Sequence, residues 1–219
     1  MLTIERTVNM SPEQWAIVIE GMRNPKNSWD KSDSYSTHIE DSQTLQTAEF
    51  EFFLGDNDYD LMSRLAKGGS VEAKYKRMMP VWVTINAPLY WWKEFDTYKI
   101  GTVANSCSTM HKIAEKEFTI DDFSHEHLIS VAQELLGDMV NVLNAYRELY
   151  INDKSKETWW HLIQLLPSSY NQKRTVFLNY EVLTNIYKYR KNHKLDEWVT
   201  FCKWIKELPC SELITGEYE

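Results

Sequence analysis

The sequence predicts a helix-rich α+β fold. Three observations carry that prediction. Leu128, Val131, Leu135, Met139, Leu143 and Tyr146 recur at steps of three and four, the stripe of a long amphipathic helix over residues 124–150. Val81, Val83 and Ile85 alternate with Trp82, Thr84 and Asn86, the period of a half-buried strand over residues 80–86. Ser11-Pro12 and Ser155 are helix starts, each a side-chain cap at the head of a periodic segment.

The elements follow in order. Residues 3–8 form a short strand, and Ser11 opens a helix to about residue 22. Residues 24–58 are rich in Asn, Asp and Ser and read as a loop interrupted by a strand at 49–54. Residues 59–67 form a short helix ended by Gly68-Gly69. Pro88 resets the backbone after the strand at 80–86 and starts a helix through Trp91 to about residue 98, which Gly101 and the small residues up to 108 break. After the long helix come helices at 157–166, stopped by Pro167, at 178–191 and at 195–208. Asp196 and Glu197 lie in the first turn of the last one, where they suit the helix dipole. No repeat or linker divides the chain, so one domain over 1–219 is expected.

Composition narrows the function. With 43% hydrophobic and 26% charged residues the chain is globular, and a net charge of −8 argues against non-specific binding to nucleic acid polymers or anionic membranes. No apolar run is long enough to span a membrane, and MLTIERTVNM lacks the core of a secretion signal. Cys107, Cys202 and Cys210 form no CxxC pair, which fits a reducing cytoplasm. The histidines are scattered, and His125-Glu126-His127 is too tight for two rings to share a helix face, so no metal site is expected. Phosphate-loop, dinucleotide-binding, hydrolase-elbow and zincin signatures are all missing.

Two constellations remain. Residues 86–111 set Trp91, Trp92, Phe95 and Tyr98 among Lys93, Glu94, Asp96 and Lys99. Such rings either stack a planar, partly anionic ligand or form the buried stripe of an amphipathic helix. Cys107 near His111 is a weak nucleophile–base pair, set against an inert thiol. The second constellation runs from Leu165 to Arg190. Asn179 and Arg190 are eleven residues apart, about 20° beyond three full turns, so one helix face can carry both. An amide and a guanidinium there can hold a flavin or base edge and a phosphate. Otherwise Asn179 caps the helix and Arg190 pairs with Glu181 or Glu197. Asn185, about 240° round from Asn179, serves a different site or one completed by another subunit.

In order and spacing the two constellations resemble the flavin-dependent thymidylate synthases. That family runs from a strand into an APL(F/Y) turn and a helix carrying Q-x-x-RHR-x-x-S-x-NE-x-S-x-R-Y. Later come a leucine-proline step and a helix with two Asn and a terminal Arg. Ala87-Pro88-Leu89-Tyr90 matches the turn, Leu166-Pro167 the step, and Asn179, Asn185 and Arg190 the last helix. The resemblance covers residues 58–209, roughly two thirds of the chain.

The departures sit at the chemistry. Glu94 stands at the glutamine, Thr97-Tyr98-Lys99 at RHR, Thr102 at the first serine, Ala104-Asn105 at NE, Cys107 at the last serine and Thr109 at the following arginine. Ser70-Val71-Glu72 only dimly echoes the family's [ST]-P-x-E-H lead-in. Lys99 alone keeps a positive charge in the signature, and lysine replaces a bidentate arginine poorly. The segment nevertheless stays dense in hydrogen-bonding groups, and Glu94 turns a donor–acceptor amide into an acceptor, which favours an amino-bearing base over uracil. Otherwise Glu94 and Lys99 pair with each other or with Lys93 and Asp96.

The resemblance implies a divergent, phage-type member without RHR: a homotetrameric flavoprotein with a small, mostly antiparallel sheet. It would use FAD, NADPH and methylenetetrahydrofolate to transfer one carbon to a pyrimidine deoxynucleotide. It assigns Asn179, Asn185 and Lys99 to the cofactor, and Arg190, Glu94, Asn105 and Cys107 to the nucleotide. The alternative is an inactive nucleotide- or partner-binding protein on the same fold.

Overall fold

The computed structural model describes residues 1–39 and 49–218. Strand β1 (Thr3–Val8) leads into helix α1 (Pro12–Arg23) through a reciprocal cap: Ser11 Oγ accepts the Gln14 N–H at 3.3 Å, and Gln14 Oε1 accepts the Ser11 N–H at 2.9 Å. A hairpin of β2 (Tyr35–Ile39) and β3 (Glu49–Phe53) follows, the latter where a strand is expected. β2 lies in the stretch expected as loop, because Ser36, Thr37 and His38 give it a polar sequence with no apolar alternation. The part of that expected loop at 40–48 lies outside the described residues. Helix α2 (Asp56–Lys67) ends at Gly68.

Next come β4 (Pro80–Pro88), α3 (Leu89–Phe95) with a 3-10 turn to Tyr98, and β5 (Val103–Ser106). The chain then passes through α4 (Ser130–Asp153), α5 (Lys156–Leu165), β6 (Asn171–Asn179), α6 (Tyr180–Arg190), α7 (Asp196–Lys206) and the short α8 (Glu212–Thr215). Strands β1, β4, β6 and β5 form, in that order, one antiparallel sheet, so the fold is helix-rich α+β.

Burial on β4 alternates as the sequence requires: Val81, Val83, Ile85 and Ala87 are buried, while Trp82, Thr84 and Asn86 are half-exposed. The buried face packs with α1, α3, α6 and α7 into the main core, at whose centre Trp91, Trp198 and Phe201 meet. Trp91 and Trp92 are fully buried, and Phe95 nearly so. Of the two readings of these rings, the buried stripe holds, because Trp198 and Phe201 occupy the faces a planar ligand would need.

Four expectations are corrected. The helix expected from 178 begins at Tyr180, because Leu178 and Asn179 close strand β6. The strand is masked in the sequence by Gln172 and Arg174, polar residues on its inward side. The break expected between Gly101 and Ser108 contains β5, an edge strand exposed along its length. The stripe of the long helix is only half buried. Met139, Leu143 and Tyr146 pack with Leu136, Val140 and α5 in a second cluster, but Val131 and Leu135 are 72% and 68% exposed. That helix also starts at Ser130 rather than 124.

Candidate functional site

The two segments that carry the resemblance meet in space. Strands β4 and β6 pair along their full lengths, with Pro88 opposite Asn171 and Pro80 opposite Asn179. Each strand therefore delivers a helix at opposite ends of one ribbon: α3 at Pro88 and α6 at Asn179. Backbone hydrogen bonds tie the Ala87–Tyr90 turn to the residues after Leu166-Pro167. Leu89 N–H reaches Tyr170 O, and Tyr90 N–H reaches Ser168 O, each at 3.0 Å. Proline at 88 suits the extended residue before a helix, since it needs no donor there.

Glu94 and Arg190 are brought together by α3 and the end of α6. Arg190 Nη1 lies 3.0 Å from Glu94 Oε2, and its Nε donates to the Tyr98 hydroxyl at 2.9 Å. The guanidinium sits 4.9 Å from the centre of the Trp198 ring, whose Nε1 donates to the same Glu94 oxygen at 2.9 Å. His193 Nε2 lies 3.6 Å from that oxygen. Arg190 thus pairs with a carboxylate as one sequence reading requires, but the partner is Glu94 rather than Glu181 or Glu197. The aromatic surround favours arginine, which stacks and bonds in its own plane. Asp96 is held the same way by Arg174 Nη1 at 2.9 Å, with that guanidinium over the Trp92 ring.

Asn179 is the side-chain cap of α6: its Oδ1 accepts the Val182 N–H at 3.0 Å from an extended backbone. Its Nδ2 faces Gly101, where an added Cβ would come within 3.1 Å, so the turn after Lys99 presses on the head of α6. Gly101 also has φ +82°, a second reason for glycine there. Lys99 and Asn185 are both exposed, on that turn and on the outer side of α6.

Asn105 and Cys107 lie at the opposite edge. Asn105 is opposite Thr175 on β5, and Cys107 follows the strand, its N–H bonded to Lys173 O at 2.9 Å and its carbonyl accepting Gln172 Nε2 at 2.8 Å. Cys107 opens on a cleft of about 650 Å³ that also touches Thr109, Asn86 and Asn171. Three lysines line it, and each is matched by an acid. Lys173 pairs with Glu5 at 2.7 Å, Lys116 with Asp122 at 2.8 Å, and Lys112 with Glu115. Burial opposes ionisation of Asp122, but Lys116 and the Thr119 N–H outweigh it and hold the carboxyl below its usual range. His111 is exposed, and no hydrogen bond among the described residues joins it to Cys107.

The residues the resemblance assigns therefore fall into three groups: Glu94 with Arg190, Asn179 beside the Lys99 turn, and Asn105 with Cys107. Lys99 and Asn185 stand exposed on different elements, and none of the three cofactor candidates lines the Cys107 cleft. Sequence reading missed Arg174 and Gln172, which hold Asp96 and Cys107 in place. The signal that could have found them is the alternation of Val176 and Leu178 with Thr175 and Phe177, which continues back to both.

No protein-family model and no curated protein matches the sequence. Solved structures do. A crystal structure of flavin-dependent thymidylate synthase ThyX from Helicobacter pylori, complexed with FAD and dUMP, is 15% identical, with a TM-score of 0.63 over 99% of this chain and 97% of that one. A second, with FAD and dUMP, is 16% identical, with a TM-score of 0.65 over 99% and 96% of the two chains. At that identity the likeness establishes the fold: this chain is folded, along nearly its whole length, like flavin-dependent thymidylate synthase.

Proposed function

We propose that this chain is a divergent flavin-dependent thymidylate synthase-like enzyme. It binds FAD and a pyrimidine deoxynucleotide, and transfers one carbon to the base reductively, with NADPH as reductant and methylenetetrahydrofolate as carbon donor. The observation that carries this reading is the junction of the Ala87–Tyr90 turn with the Leu166-Pro167 step, inside a fold shared end to end with structures that hold FAD and dUMP. Lys99 and Asn185 stand exposed on the turn before Gly101 and on the outer side of α6, and the cofactor site is completed over them by further copies in a homotetramer. Reduced flavin, when bound, supplies the hydride; the protein holds and polarises the base. Arg190, Glu94, Asn105 and Cys107 are the proposed nucleotide contacts, with Glu94 Oε1 outside the network that holds Oε2.

A second reading, an inactive nucleotide- or partner-binding protein, is favoured by one observation. Arg190 is held by Glu94, and every lysine of the Cys107 cleft by an acid, which leaves little positive charge for a phosphate. Anaerobic addition of NADPH to the FAD-loaded protein separates the two. Flavin bleaching, followed by a mass gain on a deoxynucleotide when methylenetetrahydrofolate is present, supports the enzyme. Bound flavin that NADPH leaves oxidised, with no nucleotide product, supports the second reading.

A further inference from the structure

A cavity of about 350 Å³, apart from the site above, lies between the end of α2, the 3-10 turn at Lys74–Met78, α6 and the C-terminal segment. Lys67, Lys76, Lys188 and Lys191 line it, and its lining among the described residues contains no carboxylate. In a chain of net charge −8 that is a local reversal of sign. None of the four has an ion-pair partner among the described residues, in contrast to the three lysines of the Cys107 cleft.

Lys76 is the informative member. It is only 3% exposed, and its Nζ donates to Leu213 O at 2.8 Å. An ammonium has three donors, so two remain. Burying a cation without a counter-charge is costly, and such groups are normally paired. Burial pulls the Lys76 ammonium below the usual lysine range, opposed by the charge of Glu181, which makes no ion-pair contact with it. Glu217, the other acid close by, is already bonded to the Tyr187 hydroxyl at 2.6 Å and to Lys206 at 2.8 Å. Lys188 and Lys191 also suit the negative end of α6, but that accounts for two lysines and not for the buried one.

We propose that this cavity is a binding site for a phosphate-class oxyanion, with Lys76 as its buried donor and Lys67, Lys188 and Lys191 closing round the charge. Such an anion supplies the counter-charge that Lys76 lacks, and several lysines can donate to one tetrahedral oxyanion from different sides. The site is independent of flavin binding. Its ligand is either free phosphate or the phosphoryl group of a nucleotide, and the cavity stands near the lower end of the size range of small-molecule sites, roughly 300–1,000 Å³.

Isothermal titration of the full chain with inorganic phosphate, and separately with dUMP, at constant ionic strength set with chloride tests the site. The expected result is saturable binding, weakened about ten-fold for each lysine removed in Lys188→Gln and Lys191→Gln, whose exposed side chains can change without disturbing the fold. Equal affinity for both ligands assigns the site to free phosphate; tighter binding of dUMP with the same lysine dependence assigns it to a nucleotide phosphoryl group. Absence of saturable binding of either ligand, or binding indifferent to both substitutions, overturns the proposal. Should the variants misfold, amine-reactive labelling of the wild-type chain decides. Phosphate must protect Lys67, Lys188 and Lys191 over other exposed lysines, and uniform labelling overturns the site.

Discussion

Asp58 shows what a single buried charge does in this fold. Its side chain is fully buried and accepts from Arg23, from the Ser32 and Ser34 hydroxyls and from the backbone of residues 33 and 34, tying α1, α2 and the loop between them. Removing one partner leaves the other charge buried alone, so Asp58→Ala is expected to cost about 3–5 kcal/mol in urea unfolding. Burial opposes ionisation of Asp58, yet the hydroxyls and Arg23 outweigh it and hold the carboxyl below its usual value. A depressed folded value means that this stabilisation is complete above the unfolded value of about 3.9 and disappears as pH falls through the lower, folded one. Unfolding free energies measured across acid pH should show that loss in the wild type and not in Asp58→Ala. Little of this was legible in the sequence, because Arg23 and Asp58 are brought together by the fold. Glu94 teaches the same lesson. Reading nearby sequence offers Lys99 or Lys93 as partners, whereas the fold supplies Arg190.

Among the elements, those announced by local chemistry were legible and those defined by their neighbours were not. The Ser11 cap, the alternation of β4 and the Ser155 cap, which accepts the Thr158 N–H at 3.1 Å, all stand where the sequence puts them. Strand β6 is different: its inward face carries Gln172 and Arg174, whose polar groups are satisfied only by Cys107, Asp96 and each other across the fold. The head of α6 separates a structural from a cofactor role for Asn179. Asn179→Ala should lower stability by about 0.5–2 kcal/mol, while Asn179→Asp, which keeps the capping oxygen, should restore it in thermal melts. Loss of flavin binding in the stable Asn179→Asp protein would assign the residue a second task; retained binding would leave it a cap alone.

On the scale of the whole molecule, the long helix is the unfinished part. Ile129, Val131, Leu135 and Leu149 are all more than half exposed, a larger apolar display than a helix turned to water normally carries. The sequence stripe was right about apolarity and wrong about burial, since among the described residues its first half stays exposed while the second half packs with α5 and the second cluster. Under the proposed homotetramer, copies of the chain cover the rest. Leu135→Lys is then expected to shift the mass seen by light scattering toward the monomer with the helix content unchanged; a mass unaltered by that substitution would remove α4 from the interface. The fold frame could be read from two short anchors because strand-to-helix turns are set by local backbone chemistry. The site could not, because its candidate residues are dispersed over the chain and each is held in a separate local network.

The central claim, that this fold still serves a flavin, is tested most directly by incubating the purified full chain with excess FAD, removing the unbound cofactor and recording the absorption spectrum of the protein fraction. The account predicts a perturbed flavin spectrum co-eluting with protein at the mass of the assembly. A colourless protein after saturation with FAD, still folded by circular dichroism, would contradict it.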